Sequence, residues 1–586
     1  MSYTGKLLRV NLTTGTSRVE ALNSPWAEQY FGGKGLGIKY LYEELAPGID
    51  PLSPENKLIL MTGPFTGTTI PVSGKLAIIA KSPATGTILD CSIGGHFAGE
   101  LKFAGYDAVI LEGRAAGPSY LYIKDNTVEI RDASHLWGKG AQDTELALRV
   151  GIDDEVKILT IGPAGENLVT MSCITSEFYR QAGRGGIGAV MGSKNLKAVA
   201  VRGSGSVTVP DITGFMAKVK DIMRNDTLTD TNLWAYTDGT PMLVEMSQNT
   251  GILPTKNFRD GTFSGFQAIT SEAVKAVRAG KKGCLSCALG CGNYSRSRRA
   301  SVEGPEYETL AIAGSNCGIE DLEAIITFNQ RCDDLGLDTI SAGNVTAFAM
   351  ELTENGIKDF GLHFGDKAAY LLTPSLIAYQ NGIGADLGLG VKKLSEKYGG
   401  QAFAMQVKGL EFPGYEPRGS WGMGLAYATS DRGACHMRAW PAAEEAYGER
   451  DPFTIEGKAR LVIDLQHYNA VKFSLILCDF WALSLETMSE LVTAVTGRTV
   501  TGQELVNAGE RVVNLARQFN VREGFRKEDD NLPARIFKET LKTGATAGKV
   551  IPEEDFKQML AEYYNLRGWE PSGLPTATKL RELGIG

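Results

Sequence analysis

Three cysteines, Cys284, Cys287 and Cys291, form a CxxCxxxC run within KKGCLSCALGCGNYSRSRR, residues 281 to 299, interleaved with Gly283, Gly290 and Gly292. Thiolates at this spacing can converge on one metal centre, and the glycines let the backbone bend closely around it. Zinc would ordinarily take a second CxxC or HxxxH pair, and none follows at the usual interval. An iron-sulfur cubane needs only one more, distant thiol. The short gap comes first, the reverse of the CxxxCxxC order of radical-type clusters, which favours a cluster that relays electrons singly. The fourth thiol comes from Cys91, Cys173, Cys317, Cys332, Cys435 or Cys478, and spacing alone does not choose.

The rest of the chain must position that site. From residue 1 to about 208, KLLRVNL, KLILMTGP, LAIIAKSP, DAVILEG, SYLYIKD, TVEIRD, VKILTIGPAG and LKAVAVRG are short apolar runs bounded by turn formers, the pattern of strands. Three glycine-rich stretches between them, YFGGKGLG (30–37), ILDCSIGGHFAGELKFAGYD (88–107) and RQAGRGGIGAVMGSKNLK (180–197), read as turns. Amides exposed at such turns can hold phosphate or a flat polar ring, and any single one can equally be a tight turn of the sheet. No GxxxxGK[ST], and no GxGxxG in strand-then-helix context, points to ordinary ATP or NAD binding. After residue 214 the periodicity becomes helical in FMAKVKDIMRN, PMLVEMSQNTG, DLEAIITFNQRCDDLGL, NVTAFAMELTENG and AAYLLTPSLIAYQNG, and again beyond residue 416 in KARLVIDLQHYNAVKFSLILCDFWALSLETMSELVTAVTG. The expectation is an α+β protein: a sheet-rich domain over 1–208, a helical domain over 209–415 containing the cysteine run, and a second helical domain over 416–586. No tandem repeat or low-complexity linker is visible.

Composition sets outer limits. The 586 residues, 43% hydrophobic and 22% charged, suffice for three or four domains. A net charge of -8 gives no electrostatic reason to expect nucleic acid. Nine cysteines, an odd number with three clustered, fit a reducing compartment better than a disulfide framework. The N-terminus lacks a basic region followed by an apolar one, and no window approaches the roughly 18 apolar residues of a membrane span. A cytoplasmic location is expected.

The ordered stretches FGGKGLG, GGHFAGELKFAGYDAVILEG, RGGIGAVMGSKNLKAVAVRG, CLSCALGC, EGPEYETLA, RCDDLGLDT, PRGSWGMGLAYATSDRGACHMRA and YYNLRGWEPSGLPT make the chain resemble the tungsten-containing aldehyde:ferredoxin oxidoreductases over nearly its whole length. The resemblance implies a curved sheet domain cradling two molybdopterin-type pterins that hold one tungsten, with two helical domains closing over it. It implies that Cys284, Cys287, Cys291 and Cys478 hold a [4Fe-4S] cluster. Asp333 and Asp338, in the DxxGLD run, would accept hydrogen bonds from a pterin's aminopyrimidine ring. Ser92, Gly94, Gly95, Arg184, Gly185 and Gly186 would bind pterin and its phosphates, with a magnesium ion bridging the latter, and Arg438 would contact pterin or phosphate. Glu308 and His436 take the positions beside tungsten. His436 would donate to an aldehyde's carbonyl oxygen while Glu308 removes a proton as water adds; Glu306 is the nearest competitor for the carboxylate role.

Two departures stand out. The second pterin motif of the family, DxxGLC, reads FSLILC here, with Phe473 and Ile476 replacing the aspartate and the glycine, and Lys75 stands where arginine is common, keeping the charge but losing the bidentate fork, so the resemblance implies a weaker pterin or phosphate contact there. The expected electron acceptor is ferredoxin or an iron-sulfur partner subunit, steered by Arg296, Arg298 and Arg299 of the SRSRR segment, and an oligomer is compatible with the sequence. No ExxH occurs, so no subunit-bridging iron is expected. Two other readings remain open. One is a reductase of aromatic acyl thioesters on the same framework, with Cys317 as an extra metal ligand. The other is a cluster-bearing electron-transfer subunit without a working tungsten site, for which FSLILC is the best support.

Overall fold

The computed structural model describes residues 2–298 and 300–585. Strands β1 (Lys6–Asn11), β2 (Thr16–Ala21), β3 (Leu58–Met61), β4 (Leu76–Lys81), β5 (Ile88–Ile93) and β6 (Ala108–Glu112) form one sheet in the order β2-β1-β6-β3-β4-β5. Strands β7 (Ser119–Lys124), β8 (Thr127–Asp132), β9 (Lys157–Thr160), β10 (Ile174–Ser176), β11 (Arg180–Ala182) and β12 (Leu196–Arg202) form a second, in the order β11-β10-β9-β12-β7-β8. Read from its other edge, the second order is the first with six added to every strand number. In each sheet the first and sixth strands pair in parallel and the remaining pairs are antiparallel. The sheet-rich part is therefore one topology built twice, a repeat that the sequence does not display.

The strands read as nearly unbroken apolar runs because both faces are covered. Leu8 and Val10 of β1 share a core with Leu121, Ile123, Leu159 and Val199 of the second sheet. Their neighbours Leu7, Ile59, Ile79 and Ile110 face the other way, onto the helices Gly33–Glu44 and Gly502–Arg522. The glycine-rich stretches are not the simple turns expected, since each runs into a helix: Gly33–Glu44, Phe97–Phe103 and Ile187–Ser193. Small residues allow close seating; an added Cβ would come within 2.4 Å of Cys173 O at Gly188 and within 2.0 Å of Gly165 O at Gly192. The last two helices each link the fifth and sixth strands of their sheet, so the preceding turns, Gly94-Gly95 and Gly185-Gly186, are equivalent positions in the two copies.

The later part is mainly helical, with one correction. Residues 278–303, expected within a helical region, form an antiparallel sheet of β13 (Arg278–Lys282), β14 (Gly292–Arg296) and β15 (Ser301–Glu303). Lys282 pairs with Gly292, so residues 283–291 form the hairpin loop that carries all three clustered cysteines. Because β14 runs away from this loop, Arg296 and Arg298 stand at the hairpin's far end, on the order of 13 Å along the strand. The SRSRR segment is adjacent to the cysteines in sequence and removed from them in space; Arg299 lies outside the described residues. Among the described residues, no helix is long and apolar enough to cross a membrane.

Candidate active site

Three segments bring the four thiols together. The Cys284 Sγ lies against Gly94, where an added Cβ would approach it to 2.7 Å. Leu285 N donates to Gly95 O at 3.1 Å, Val72 N to Ser286 O at 3.2 Å, and Cys478 N to Val72 O at 3.1 Å. Val72 thus bridges the hairpin loop and the segment after the helix Lys458–Leu475 that delivers Cys478. Cys287, Cys291 and Cys478 pack on one apolar cluster with Val72, Leu289 and Trp481. No three His, Cys, Asp or Glu residues among those described converge as ligands of a single ion. Four thiols brought to one loop match in number the ligands of a [4Fe-4S] cubane. Lys75 faces this group: burial opposes its charge, but Cys478, Asp479, Cys284 and Cys291 outweigh burial and raise its pKa above the ordinary lysine value.

Glu308 and His436, 128 positions apart in sequence, meet with Oε1 and Nδ1 separated by 3.6 Å. Neither atom has a hydrogen-bond partner, although both are buried. Glu308 Oε2 accepts from Gly414 N at 2.8 Å, which fixes the carboxyl and leaves Oε1 for chemistry. Burial, then the nearby Asp338 and Cys435, push its pKa up to about 8 against the opposing pull of the Gly414 amide and Arg184. His436 is pushed down to about 3 by burial and by Arg184, Arg432 and Arg438, so its ring is neutral. Glu306 is not beside this pair; its carboxylate accepts from Thr240 Oγ1 and lies near Cys291 and Arg180.

The expected pterin ligands fall into two groups. Arg184 donates to Ala434 O at 2.6 Å and to Glu411 O, while its Nε, 3.6 Å from Asp338 Oδ2, makes no hydrogen bond. Asp333 accepts from Gln181 at 2.9 Å and Asn329 at 3.0 Å. Asp338 caps the helix Thr339–Glu354 and accepts from Ser341 Oγ at 2.8 Å. With Gly95, Gly185 and Gly186 in left-handed backbone at φ 112°, 88° and 81°, this side offers bare amides, carboxylates and an orphaned guanidinium nitrogen. Ser92 lies on β5, partly exposed, just before the first glycine pair. These residues fit a flat, polar, phosphate-bearing ligand.

The Phe473 side differs. Phe473 lines a cavity of about 20 Å³ with Lys34, Asp431, Arg438, Gln466, Asn469 and Asn520. Lys34 pairs with Asp90 at 2.7 Å and Asp431 at 2.5 Å, and Arg438 with Asp431 at 2.7 Å and with Asp90. Arg438 is therefore committed to a buried four-member ion network that ties β5 to the His436 segment. Asp431→Ala, which leaves Lys34 and Arg438 to share Asp90 as their one buried counter-ion, is expected to cost about 3–5 kcal/mol, seen as an earlier thermal transition. Ile476 holds the left-handed conformation of the glycine it replaces, at φ 70°, and its side chain packs against Gly33 and Gly63. Ile476→Gly would relieve about 1–2 kcal/mol of backbone strain and lose about 2–5 kcal/mol of packing. A net loss of about 1–3 kcal/mol is expected in denaturant melts.

Sequence inspection missed an aromatic wall beside the pair. Tyr415 lies 5.6 Å from His436, 5.2 Å from Tyr307 and 5.7 Å from Trp440, centroid to centroid, and Trp440 lies 5.6 Å from Tyr447. It also missed Arg180, paired with Glu303 at 2.9 Å and facing Cys284 and Cys291. Cys317 is away from the site; its Sγ contacts the Ile312 and Gly343 carbonyls at 3.5 and 3.3 Å.

The chain matches the family models for aldehyde ferredoxin oxidoreductase, the N-terminal domain over residues 7–203 and domains 2 and 3 over residues 215–585. It is 43% identical to a tungsten-containing aldehyde ferredoxin oxidoreductase of Pyrococcus furiosus over 99% of this chain and 98% of that protein. It is 41% identical to the protein of the same description from Pyrococcus abyssi, over 100% and 99%. Among solved structures, the active-site complex BamBC of benzoyl coenzyme A reductase superposes with a TM-score of 0.86 at 27% identity, covering 100% of this chain and 97% of that one.

Proposed function

The chain belongs to the aldehyde ferredoxin oxidoreductase family, and from that premise we propose that it oxidises aldehydes to carboxylic acids with water as the oxygen source. Cys284, Cys287, Cys291 and Cys478 would hold a [4Fe-4S] cluster that, with a pterin, would supply the one-electron route to a ferredoxin or an iron-sulfur partner subunit, in the cytoplasm. The observation that carries this reading is the Glu308–His436 pair, whose buried Oε1 and Nδ1 atoms face each other without hydrogen-bond partners beside the Arg184 and Asp338 side of the glycine turns. Asp333, Asp338, Arg184 and the two glycine pairs would hold the pterins.

When bound, the tungsten and its pterins supply the two-electron oxidation and polarise the carbonyl. The overall change is RCHO + H₂O → RCOOH + 2 H⁺ + 2 e⁻. Glu308, anchored through Oε2, takes a proton from the incoming water at Oε1. His436, neutral at working pH, donates a ring N–H toward the carbonyl oxygen, the donation a fixed dipole makes best in a dry site. Tyr307, Tyr415, Trp440 and Tyr447 exclude water and present apolar faces to the aldehyde substituent. The acyl-thioester reading is favoured by the likeness to the benzoyl coenzyme A reductase complex; Cys317, the extra metal ligand it could use, lies away from the site with its Sγ on the Ile312 and Gly343 carbonyls.

The test is metal and pterin analysis of anaerobically purified protein with a viologen-linked aldehyde assay. About four irons per chain, with tungsten, two pterins and aldehyde-dependent dye reduction, support the reading. Iron without tungsten, molybdenum or pterin would turn it to the electron-transfer alternative, with the departures at Lys75, Phe473 and Ile476 as the cause.

A further inference from the structure

Five of the thirteen strongly exposed large apolar side chains among the described residues fall within one short stretch: Ile212, Met216, Leu228, Leu233 and Tyr236, with 60%, 44%, 62%, 53% and 57% of their surface open. Soluble surfaces rarely concentrate apolar groups in this way without a partner. The stretch is bound to the cluster loop. Tyr236 Cδ2 lies 3.5 Å from where a Cβ on Gly290 would stand. Trp234 packs on Phe480, two residues past Cys478, at 5.7 Å, and Trp481 Nε1 donates to Asp226 O at 3.3 Å. The helix Ile212–Ile222 turns Phe215, Val219 and Ile222 into the same apolar cluster that holds Cys287, Cys291 and Cys478.

The rim has a sign. Residues 278–298, the hairpin around the cluster loop, contain Arg278, Lys281, Lys282, Arg296 and Arg298 and no Asp or Glu, in a chain of net charge -8. Lys281 Nζ sits 5.8 Å from the Tyr236 ring, so the basic edge adjoins the apolar face. The apolar stretch itself carries five acids, Asp211, Asp221, Asp226, Asp230 and Asp238; Asp211 caps its helix, Asp221 accepts from Asn225 Nδ2 at 2.7 Å and Asp238 pairs with Lys275 at 2.5 Å, so the basic sign belongs to the hairpin edge.

We propose that the face made by Leu228, Leu233, Tyr236 and the Lys281–Lys282 edge is the docking surface for a small acidic iron-sulfur protein that takes electrons from the cluster. This rests on the reading that Cys284, Cys287, Cys291 and Cys478 hold that cluster. An apolar centre gives contact area while the basic rim orients an acidic partner and speeds encounter. The geometry assigns this role to the lysines at the loop end of the hairpin rather than to Arg296 and Arg298.

The test measures binding separately from turnover. The holoenzyme and the variants Leu228→Asp, Leu233→Asp and Lys282→Glu, with Leu372→Asp as an exposed apolar control elsewhere, are titrated with an acidic bacterial-type [4Fe-4S] ferredoxin by calorimetry. The Kd is expected to rise at least tenfold for the three face variants and not for the control, and to rise with salt. Viologen-linked rates should stay within twofold. An unchanged Kd in the face variants overturns the proposal. So does light scattering that shows a dimer of this chain broken by the same substitutions, since the face would then belong to a second copy. Absence of aldehyde activity in the unaltered protein would remove the proposed reaction while leaving the Kd comparison decisive for the surface.

Discussion

Glu308→Gln is expected to lower kcat/KM for aldehyde oxidation by about 10²–10⁴-fold, the usual worth of a positioned proton acceptor. Glutamine keeps the shape and the Gly414 N contact, so iron, tungsten and pterin contents should not change. The raised pKa makes a second, independent demand. A carboxyl at about 8 is mostly protonated at neutral pH, so the proton-accepting form grows tenfold per pH unit below that value and saturates above it. In the unaltered enzyme kcat/KM should rise with that slope and level off near pH 8. In Glu308→Gln the residual rate should lose this rise. His436, pushed down to about 3, should add no second inflection between pH 5 and 8. A large loss with the pH rise retained would assign the inflection to another group.

What could be read from the sequence follows from how local each signal is. The strands were legible because burial on both faces writes continuous apolar runs, as in β4, whose six residues are all buried. The three cysteines were legible as candidate ligands because CxxCxxxC is a chemical spacing, and the structure places them on one hairpin loop. The topological repeat was not, because it lies in strand order and not in residue identity. Residues 278–303 read as part of a helical region since Arg278–Lys282 and Gly292–Arg296 are short, polar strands without an alternating apolar pattern. The SRSRR segment was misplaced for the same reason, as one strand of extended chain separates it from the loop. The meeting of Glu308 with His436, and the aromatic wall beside them, depend on tertiary packing across segments that spacing cannot relate. The DxxGLD run illustrates the mixture: its backbone is a helix end with left-handed Gly336 followed by the N-cap Asp338, which local rules foresee, while a pterin role needs the Arg184 side of the site to be in view.

Cys478→Ala tests the fourth ligand with the least disturbance to the fold. The thiol comes from a segment that other contacts hold in place. Lys472 Nζ donates to Asp479 O and Trp481 O at 2.8 Å each, Cys478 N donates to Val72 O, and Trp481 is fully buried in the surrounding apolar cluster. Removing one sulfur should therefore leave the loop where it is and take away a ligand. The expected result is one iron fewer per chain, a cluster that has lost its cubane spectroscopic signature, and viologen-linked turnover reduced by more than roughly tenfold, or ~1.4 kcal/mol in barrier, with tungsten and pterin retained. Cys317→Ala, whose thiol is buried in the helical core away from the cluster loop, should change melting behaviour but not iron content. If Cys478→Ala kept its full iron and cluster signature, the fourth ligand would have to be sought among the groups facing Lys75, where Asp479 is the next oxygen donor in reach.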